Sequence, residues 1–527
     1  MISPIEAAVP GFVPEFDWST LRPGEAPISL IPESLARRLL AFPARVEGGR
    51  LIAVLARPDD YAAIRNLEAR SRLQVVPVGG GASDILNAID IHYSAAMPEA
   101  VVEAMDERFH ALGANGNAPA DAVRYIPLVP EAEGEDGGAD NAELVVHAVD
   151  SLIAQASKAR ATDIHIEPLE DRVRVRFRID GFLQEAARLP RSAHGALISR
   201  LKVMAGMDIA DRRLPQDGHF AVRVGSSNID VRASTASTVH GEMAVLRILN
   251  KSLKLFSLQD LGLQPYDAAA VRRLLKAPYG IILVAGPTGA GKTTTLYAAL
   301  NELDAQKLNI ITIEDPVEYR FDGINSMQIN EKAGLTFASS LRAVLRLDPD
   351  VILVGEIRDS ETARVAVQAA LTGHLVLSSV HANDAVRAVT RMIDLGVEPF
   401  LLSSALLGVV AQRMVRKIDT HCSKPHEPED EEIRALGSHE PLPNARFFKG
   451  EGCYFCSFTG YHGRTGLFEI LAPSDEFKAL ILRLAGQGEL LDQALADGFK
   501  TMRHDGAQKA LTGVTTPFEV VRSVYTL

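Results

Sequence analysis

The pattern of apolar and polar residues changes several times along the chain. Residues 28–97 alternate helix-like stretches, such as PESLARRLLAF and DDYAAIRNLEARS, with strand-like stretches, such as RLIAVLA and LQVVPVG. This mixture predicts a small α/β or α+β domain within residues 1–110. Residues 111–142 are rich in Gly, Ala, Asn, Pro and acids, and residues 131–140 contain acids but no base. They are predicted to form a solvated, flexible linker.

The next segment, residues 143–254, is predicted to be a second α+β domain. Its clearest stretch is DRVRVRFRIDG, in which four apolar residues alternate with four arginines before Asp180 and Gly181. A period of two residues that ends at an Asp-Gly pair predicts a half-buried strand followed by a hairpin turn. The alternating apolar residues are Val173, Val175, Phe177 and Ile179.

A different pattern starts near residue 255 and continues to residue 418. Unbroken apolar runs such as GIILVAG, NIITIED, VILVGE and HLVLSSVH alternate with helix-like stretches. Such runs are typical of strands buried on both faces of a mostly parallel sheet. The apolar stretch FLLSSALLGVVA (400–411) is too short to span a membrane and is predicted to be a buried helix. Residues 419–466 carry Pro, Gly, His and all three cysteines, and residues 467–527 are predicted to be helical.

Composition narrows the functional classes. The 527 residues include 55 Lys and Arg against 67 Asp and Glu, which gives a net charge of −12 and argues against bulk nucleic-acid binding. Three cysteines are too few for a disulfide framework and indicate a reducing compartment. The first twenty residues lack a positive segment followed by an apolar one, so we expect no cleaved leader.

The stretch GPTGAGKT (286–293) predicts a phosphate-binding loop. It matches the pattern G-x-x-x-x-G-K-[ST] between a predicted strand and a predicted helix. Glycines let backbone N–H groups approach phosphate oxygens, the lysine neutralises phosphate charge, and the threonine hydroxyl binds Mg²⁺. We therefore expect ATP with Mg²⁺, held by Gly286, Pro287, Thr288, Gly289, Ala290, Gly291, Lys292, Thr293 and Thr294.

Three further polar groups follow predicted strands. Glu356 follows VILVG, where an acid that handles Mg²⁺ and the attacking water is expected. Glu314 follows NIITI, and with the nearby Asp315 and Glu318 it forms a second acidic group that is a candidate for orienting water. His381 follows HLVLSSV and is a candidate sensor of the γ-phosphate. The alternatives are solvated acids at strand ends and a structural histidine.

These segments, in this order and spacing, resemble the secretion ATPases of the type II secretion and type IV pilus superfamily. IEDPVEY resembles the Asp box of that family, DPDVILVGEIRD its Walker B box, and TGHLVLSSVHAND its His box. The resemblance covers nearly the whole chain, and LGVEPFLLSSALLGVVAQR is most similar to the type II secretion ATPase. It implies an α/β multidomain fold: a RecA-like P-loop ATPase domain preceded by two α+β domains, with a small cysteine-containing insertion and C-terminal helices.

The resemblance also implies roles for individual residues. Lys292 and Thr293 bind phosphate and Mg²⁺, Glu314 and Glu356 act on water and metal, and His381 senses nucleotide. The family also uses arginines against phosphate, and the matching residues are Arg232, Arg247, Arg342 and Arg346. The chain departs from the family pattern in PQDGHF, where His219 stands in place of the usual arginine.

The cysteines depart from the family pattern as well. The family commonly has two C-x-x-C pairs that hold zinc, whereas this chain has one, Cys453 to Cys456, and only Cys422 of the other. Asp419 takes the place of the missing cysteine. Three thiolates with Asp419, His421 or His426 complete a tetrahedral Zn²⁺ site, and a metal-free loop held by packing is the alternative.

The resemblance implies a cytoplasmic homohexamer that hydrolyses ATP to assemble a pseudopilus for type II secretion. Residues 1–110 are expected to bind the cytoplasmic domain of an inner-membrane adaptor, and the ring is expected to act on a polytopic platform protein. The enzyme then associates peripherally with the inner membrane through these partners, and no nucleic acid is expected. Extension of a type IV pilus is the nearest alternative. A nucleic-acid translocase and an ATP-binding scaffold without turnover are more distant ones.

Overall fold

The computed structural model describes residues 16–21, 26–93, 124–126, 139–224, 227–250, 257–437, 446–456 and 458–524. The chain forms two compact units. The first consists of residues 1–253 with 451–460, and the second of residues 254–450 with 461–527. Most of the predicted linker, residues 111–142, lies outside the described residues.

The first unit begins with a small three-stranded sheet and three helices. Its strands are β1 (Ala41–Glu47), β2 (Arg50–Leu55) and β3 (Gln74–Gly79), and its helices are α1 (Glu33–Leu39), α2 (Tyr61–Ser71) and α3 (Ala82–His92). β2 pairs antiparallel with β1 and parallel with β3. The helix-like and strand-like stretches of this region are confirmed, but the sequence pattern missed β1, whose AFPARVE follows α1 after a single residue.

A seven-stranded antiparallel sheet forms the larger part of the first unit. Its strands are β4 (Arg124–Ile126), β5 (Asp163–Pro168), β6 (Arg172–Ile179), β7 (Phe182–Pro190), β8 (Gln216–Val224), β9 (Ser227–Thr238) and β10 (Gly241–Asn250), in the order β4-β8-β9-β10-β5-β6-β7. Helices α4 (Ala139–Lys158) and α5 (His194–Met204) contribute apolar residues to the same core as one face of the sheet. The predicted hairpin is confirmed, since Asp180 and Gly181 have φ of 49° and 92° between β6 and β7.

The second unit contains the predicted parallel sheet. Its strands are β11 (Gly280–Ala285), β12 (Ile310–Glu314), β13 (Ile324–Gln328), β14 (Val351–Val354), β15 (Leu375–Val380), β16 (Leu406–Ile418) and β19 (Tyr461–Leu471), in the order β13-β12-β14-β15-β11-β16-β19. Only the β16–β19 pair is antiparallel. The apolar runs that predicted strands are β11, β12, β14 and β15, and every residue of these four strands is buried.

Helices cover both faces of this sheet and continue to the end of the described chain. They are α6 (Pro265–Leu275), α7 (Lys292–Asn301), α8 (Phe337–Val344), α9 (Ser360–Leu371), α10 (Ala385–Asp394), α11 (Pro399–Ala405), α12 (Asp430–Ala435), α13 (Asp475–Leu482), α14 (Gln487–Ala496), α15 (Met502–Leu511) and α16 (Pro517–Val524). A two-stranded antiparallel sheet of β17 (Ser423–His426) and β18 (Phe447–Gly450) precedes the second half of the cysteine segment. Among the described residues, no helix is both long and apolar enough to cross a membrane.

The apolar stretch 400–411 is only partly the helix that its sequence predicts. Helix α11 ends at Ala405, and from Leu406 the chain forms β16 beside the phosphate-loop strand, with Ala411 opposite Ala285. Gly408 allows α6 and β19 to approach β16 closely, because a Cβ atom there would lie 2.6 Å from Leu274 Cδ1 and 2.9 Å from the carbonyl oxygen of Leu471. A continuous apolar run satisfies a buried helix and a buried strand equally well, so periodicity alone does not separate them.

Candidate active site

Three neighbouring parallel strands deliver the predicted motifs to one edge of the sheet. β15 lies between β11 and β14, and the register sets Ala285 opposite Val380 and Val354 opposite Ser378. The phosphate loop follows Ala285, His381 follows Val380, and Glu356 lies two residues beyond Val354. Because the carboxyl ends of parallel strands meet at one edge, segments separated by up to about a hundred residues converge there.

The phosphate loop has the backbone that its glycines permit. Gly289 and Gly291 have φ of 77° and 84°, a region that favours glycine, and Gly291 is the N-cap of α7. Lys292 begins this helix, and its Nζ donates hydrogen bonds to the carbonyl oxygens of Gly286 (2.9 Å) and Pro287 (3.0 Å). Thr293 is exposed at the helix N-terminus. The lysine therefore closes on its own loop, where phosphate oxygens are able to replace the two carbonyl acceptors.

Burial lowers the pKa of Lys292, and the neighbouring Glu356 carboxylate opposes that shift. Glu356 Oε1 lies 2.7 Å from Arg358 Nη2, and Glu356 Oε2 lies 3.6 Å from His381 Nε2. Burial and Lys292 lower the pKa of His381, although Glu356 acts in the opposite direction. His381 is therefore mostly neutral at neutral pH and able to donate or accept a hydrogen bond at this edge.

Glu314 is placed differently from Glu356. It is the last residue of β12 and only 4% exposed, and it accepts hydrogen bonds from the hydroxyls of Tyr297 and Thr312, the latter at 2.6 Å. Burial raises the pKa of Glu314. Tyr297 belongs to α7, the helix that begins at Lys292, so this carboxylate is linked to the phosphate-loop helix. Of its acidic neighbours, Asp315 is exposed and Glu318 is half-buried.

Several residues that support this edge were not identified from the sequence. Gln412 of β16 donates from Nε2 to the carbonyl oxygen of Ala290 at 2.6 Å, which fixes the middle of the phosphate loop. Ser378 and Ser379 of β15 donate to the carbonyl oxygens of Val354 (2.7 Å) and Gly355 (2.8 Å), which fix the turn before Glu356. The polar residues inside the apolar run HLVLSSVH are the signal that could have revealed this function.

Glycine at position 355 is explained by the same turn. A Cβ atom there would lie 3.3 Å from the carbonyl oxygen of Ile313, which also accepts a 2.8 Å hydrogen bond from the Gly355 N–H. The strand β12 passes too close for a side chain to fit without adjustment. This crowding disfavours any residue with a side chain at position 355.

The predicted arginines lie in two places. Arg342 and Arg346 are exposed in the second unit, where Arg342 pairs with Glu361 at 2.7 Å and Arg346 Nη1 donates to the carbonyl oxygen of Arg342. Arg232 and Arg247 belong to the antiparallel sheet of the first unit, where they lie directly opposite each other on β9 and β10.

The register around Arg232 and Arg247 forms a continuous row across that sheet. Arg232 is also opposite His219, Arg247 is opposite Asp163, and Asp163 is opposite Arg178. Residues opposite each other on adjacent strands share a face, so these five side chains lie on the face away from the apolar core. Arg247 and Arg178 approach Asp163 to 3.3 and 3.6 Å. His219, which departs from the family pattern, is therefore a direct cross-strand neighbour of Arg232.

The four predicted metal ligands are all buried, with Asp419 and Cys422 in the second unit and Cys453 and Cys456 in the first. The Sγ atoms of Cys453 and Cys456 are 3.8 Å apart, and tetrahedral Zn²⁺ with bonds of about 2.3 Å requires a separation of about 3.8 Å. Backbone N–H groups of Cys453 and Gly460 point at Cys456 Sγ at 3.1 Å, which favours a thiolate. These ligand types fit Zn²⁺.

One histidine orients the carboxylate of this group. His421 donates its backbone N–H to Asp419 Oδ1 at 3.0 Å, and its Nδ1 lies 2.9 Å from the same oxygen. Partners of this kind fix the direction of a ligating carboxylate. Asp419 thus occupies the position of the missing cysteine with its own supporting contact.

A mostly parallel sheet with a phosphate loop, and with acid and histidine side chains at the adjoining strand ends, defines a P-loop ATPase. Residues 138–522 match the family model described as Type II/IV secretion system protein, and residues 13–99 match the MshEN domain model. The chain therefore belongs to the Type II/IV secretion system protein family, and it is an ATPase of that family. The family resemblance and the expected fold class are confirmed.

Relatives from both branches of the superfamily are similar to this chain. The type II secretion system protein E of Pseudomonas aeruginosa is 45% identical over 402 residues, covering 76% of this chain and 80% of that protein. That of Xanthomonas campestris pv. campestris is 40% identical over 506 residues, covering 95% and 86%. The type IV pilus assembly ATPase PilB of Thermus thermophilus is 42% identical over 500 residues, covering 93% of this chain but 54% of that relative. This chain therefore spans about half the length of PilB.

A solved structure supports the fold. The ATPase DotB of Legionella pneumophila superimposes with a TM-score of 0.53 at 20% identity, and the match covers 71% of this chain and 94% of that chain. At this level of identity the likeness concerns the fold alone.

Proposed function

We propose that this ATPase uses the energy of ATP hydrolysis to drive pseudopilus assembly and protein export by a type II secretion system. The observation that carries this proposal is the convergence of Lys292, Glu356 and His381 at one sheet edge in a chain of this family. Several relatives at 40–48% identity bear the name type II secretion system protein E or ATPase E. The reaction converts ATP and water to ADP and phosphate.

The proposed chemistry begins with phosphate binding. Backbone N–H groups of residues 288–294 surround the phosphates, and Lys292 exchanges its two carbonyl acceptors for phosphate oxygens. The exposed Thr293 and the nearby Glu356 are the residues suited to hold Mg²⁺, directly or through water, because hydroxyl and carboxylate oxygens are its preferred ligands. When bound, Mg²⁺ neutralises charge that develops on the phosphate oxygens.

Glu356 also orients the attacking water, with Arg358 and His381 beside it. The neutral His381 reports the presence of the γ-phosphate to the helix that follows it. Glu314 is the second acid of this scheme. Its hydroxyl partners Tyr297 and Thr312 hold it beside the helix of Lys292, and we propose that it assists in positioning the water from there.

The arginines complete the proposed site by offering positive charge to the γ-phosphate. Arg232 and Arg247 come from the first unit, and Arg342 and Arg346 from the second. We propose a homohexamer in which the first unit of one subunit supplies its arginines to the nucleotide of a neighbour. Hydrolysis then shifts the units against each other, and this movement performs the mechanical work.

The proposed partners follow from the domain organisation. Residues 1–110, which include the MshEN match at 13–99, form the proposed adaptor-binding domain. Residues 143–254, 255–418, 419–466 and 467–527 are the proposed second domain, ATPase domain, cysteine segment and C-terminal helices. The adaptor and a polytopic platform protein hold the ATPase at the cytoplasmic face of the inner membrane.

The similarity to PilB favours one alternative, the extension of a type IV pilus by the same chemistry. Deletion of the gene in its host distinguishes the two. Lost export of secreted proteins with intact surface pili supports the type II secretion proposal. Intact export with lost pili overturns it in favour of pilus assembly. Complementation with the wild-type gene controls for effects on neighbouring genes.

We also propose that Asp419, Cys422, Cys453 and Cys456 hold one structural Zn²⁺. The three buried cysteines and the oriented carboxylate support this proposal. Metal analysis of the purified full-length protein should give about one zinc per chain, and Cys453→Ser should lose zinc and lower the melting temperature. Far less than one zinc per wild-type chain contradicts the site. The exposed His504 provides a matched control, because His504→Ala leaves the zinc content unchanged.

A further inference from the structure

The helix that follows His381 is held at its first residue by a carboxylate from a distant strand. Glu469 of β19 is 4% exposed, and its Oε1 accepts the backbone N–H of Ala385, the first residue of α10, at 2.7 Å. Its Oε2 accepts the backbone N–H of Met502, the first residue of α15, at 2.9 Å. One buried carboxylate therefore joins the N-termini of two helices.

Such N–H groups have no partner within their own helices, and a negative charge at a helix N-terminus is favourable. Each helix already has a separate cap, since Asp384 accepts the N–H of Arg387 and Thr501 accepts the N–H of His504. Glu469 therefore satisfies a different N–H group of each helix from the one that the side-chain cap satisfies. Its particular contribution is to connect them.

The position of Glu469 in the sheet places this connection beside the candidate active site. Across the strands, Val380 is opposite Ala285, Ala285 is opposite Ala411, and Ala411 is opposite Glu469. The row therefore runs from the residue before His381, past the residue before the phosphate loop, to Glu469. Glu469 therefore lies in the same cross-strand row as the residue that precedes the phosphate loop and the residue that precedes His381.

A second hydrogen bond, in addition to that of Glu469, holds the segment between His381 and α10. Arg413 Nη2 donates to Asn383 Oδ1 at 3.1 Å, and the preceding residue, Gln412, holds the phosphate loop through Ala290. The residues from His381 to Ala385 are thus fixed by β16 and β19 and, through Glu469, by the C-terminal helices.

We propose that Glu469 is a positioning residue for ATP hydrolysis: its carboxylate links the start of α15 to the start of α10, so that the C-terminal helices set the position of His381 beside Glu356. His381 contacts Glu356 at 3.6 Å, a separation that a small displacement of α10 would change. Displacements of this size at a reacting centre have large effects on rate.

A pocket of about 490 Å³ adjoins this connection. Its lining includes Glu469, with Asp384 and Arg387 from the α10 side, Arg413 from β16 and Arg503 from α15. Burial raises the pKa of Glu469 to about 7, and Asp384 adds to this effect, whereas the two N–H donors and Arg413 favour the charged form. With this pKa the Glu469 carboxyl group is about half ionised at neutral pH, and the N–H contacts that make the connection favour its charged form.

The test uses two matched cap variants of the full-length protein. Thr501→Ala removes the hydroxyl cap of α15, which is joined to Glu469, and Ser474→Ala removes the hydroxyl cap of α13. Amide hydrogen exchange of residues 385–388 should rise about fivefold or more in Thr501→Ala but less than about twofold in Ser474→Ala. Turnover should fall in Thr501→Ala while KM for ATP stays within about threefold.

The link itself is tested with Glu469→Gln, whose amide offers one oxygen to two N–H donors. In this background Thr501→Ala should raise exchange at residues 385–388 by less than about twofold, because the connection is already broken. Glu476→Gln, an exposed change on α13, should behave as wild type. Additive effects of Thr501→Ala and Glu469→Gln overturn the proposal. If Glu469→Gln does not fold, equal exchange at residues 385–388 in the two cap variants overturns it alone.

Discussion

The parallel sheet of the second unit buries both of its faces, whereas the antiparallel sheet of the first unit buries one. In the parallel sheet the predicted site residues lie at the carboxyl edge, where Lys292, Glu356 and His381 follow strands β11, β14 and β15. In the antiparallel sheet the predicted site residues lie on the face away from the core, where Arg232 and Arg247 are cross-strand partners. A parallel sheet collects its polar groups at strand ends, and an antiparallel sheet collects them by register.

This difference determines which residues a sequence motif can reveal. Groups at strand ends are adjacent in sequence to long apolar runs, so motif and strand are recognised together. Groups on an open face are adjacent in sequence to buried residues, and their relation to one another depends on pairing. Arg232 and Arg247 were therefore expected only from family resemblance, and their cross-strand pairing comes from the register.

The largest effect on ATP hydrolysis is expected from a substitution at the carboxyl edge of the parallel sheet. Lys292→Ala should lower ATP hydrolysis about a thousandfold while the melting temperature stays close to wild type, because the lysine charge acts on phosphate and not on the core. Phosphate release by the full-length protein measures this. Lys307→Ala is the matched control, since its side chain is 82% exposed and pairs with Asp304. Hydrolysis at the wild-type rate in Lys292→Ala would show that the chemistry is elsewhere.

The next effect is expected in the arginine row. Arg232→Ala and Arg247→Ala should each lower turnover about a hundredfold, since each removes positive charge that is stabilising only when phosphate charge develops. The double variant should lose little more, because residues that act as a unit are not additive. Arg188→Ala, on β7 of the same sheet and 69% exposed, should change turnover less than about twofold. An equal loss in Arg188→Ala would contradict a special role for the row.

A smaller effect is expected where the phosphate-loop helix contacts the second acid. Tyr297→Phe leaves the buried Glu314 with Thr312 as its remaining hydroxyl partner. Loss of this hydrogen bond should lower the free energy of unfolding by about 1–3 kcal/mol, measured as a lower melting temperature. Tyr279→Phe, which is 54% exposed and precedes β11, should have no measurable effect. An unchanged melting temperature in Tyr297→Phe would mean that this contact contributes nothing to stability.

The smallest effects are expected when one acidic residue in each unit is replaced by its amide. The two replacements should change the stability in opposite directions. Asp267 of α6 is buried, and burial together with Asp505 raises its pKa to about 6. Glu167 of β5 is also desolvated, but its hydrogen bonds and charge contacts with Arg176 and Arg174 prevail and lower its pKa. An acid with a raised pKa costs stability when it is charged, and one with a lowered pKa contributes stability when it is charged.

Asp267→Asn should therefore increase stability by about 1–2 kcal/mol above pH 6, and the gain should vanish as pH falls from about 6 to 4. Glu167→Gln should decrease stability at neutral pH, and the loss should shrink below about pH 4. Melting temperatures between pH 3 and pH 8 test both. The same sign in both variants would contradict the contrast between the helix-covered and the open sheet.

Much of the fold followed from local patterns that leave little choice. The strands β11, β12, β14 and β15 were predicted because each is a continuous apolar run between turn residues. The β6–β7 hairpin was predicted because period two ends at Asp180-Gly181. The prediction that residues 400–411 form a helix was wrong for residues 406–411, which pair with β11 as part of β16. An isolated apolar run does not show whether its residues pair with another strand.

The sequence by itself determined that this chain is a P-loop ATPase of the secretion family, because phosphate binding demands particular residue types at fixed local spacing. It also named the residues that meet at the sheet edge. Only the tertiary structure decided that Glu314 is held by Tyr297, that Arg232 faces Arg247, and that Glu469 connects two helix N-termini. These relations join residues from 15 to 84 positions apart, and strand register and burial, which no local pattern encodes, bring them into contact.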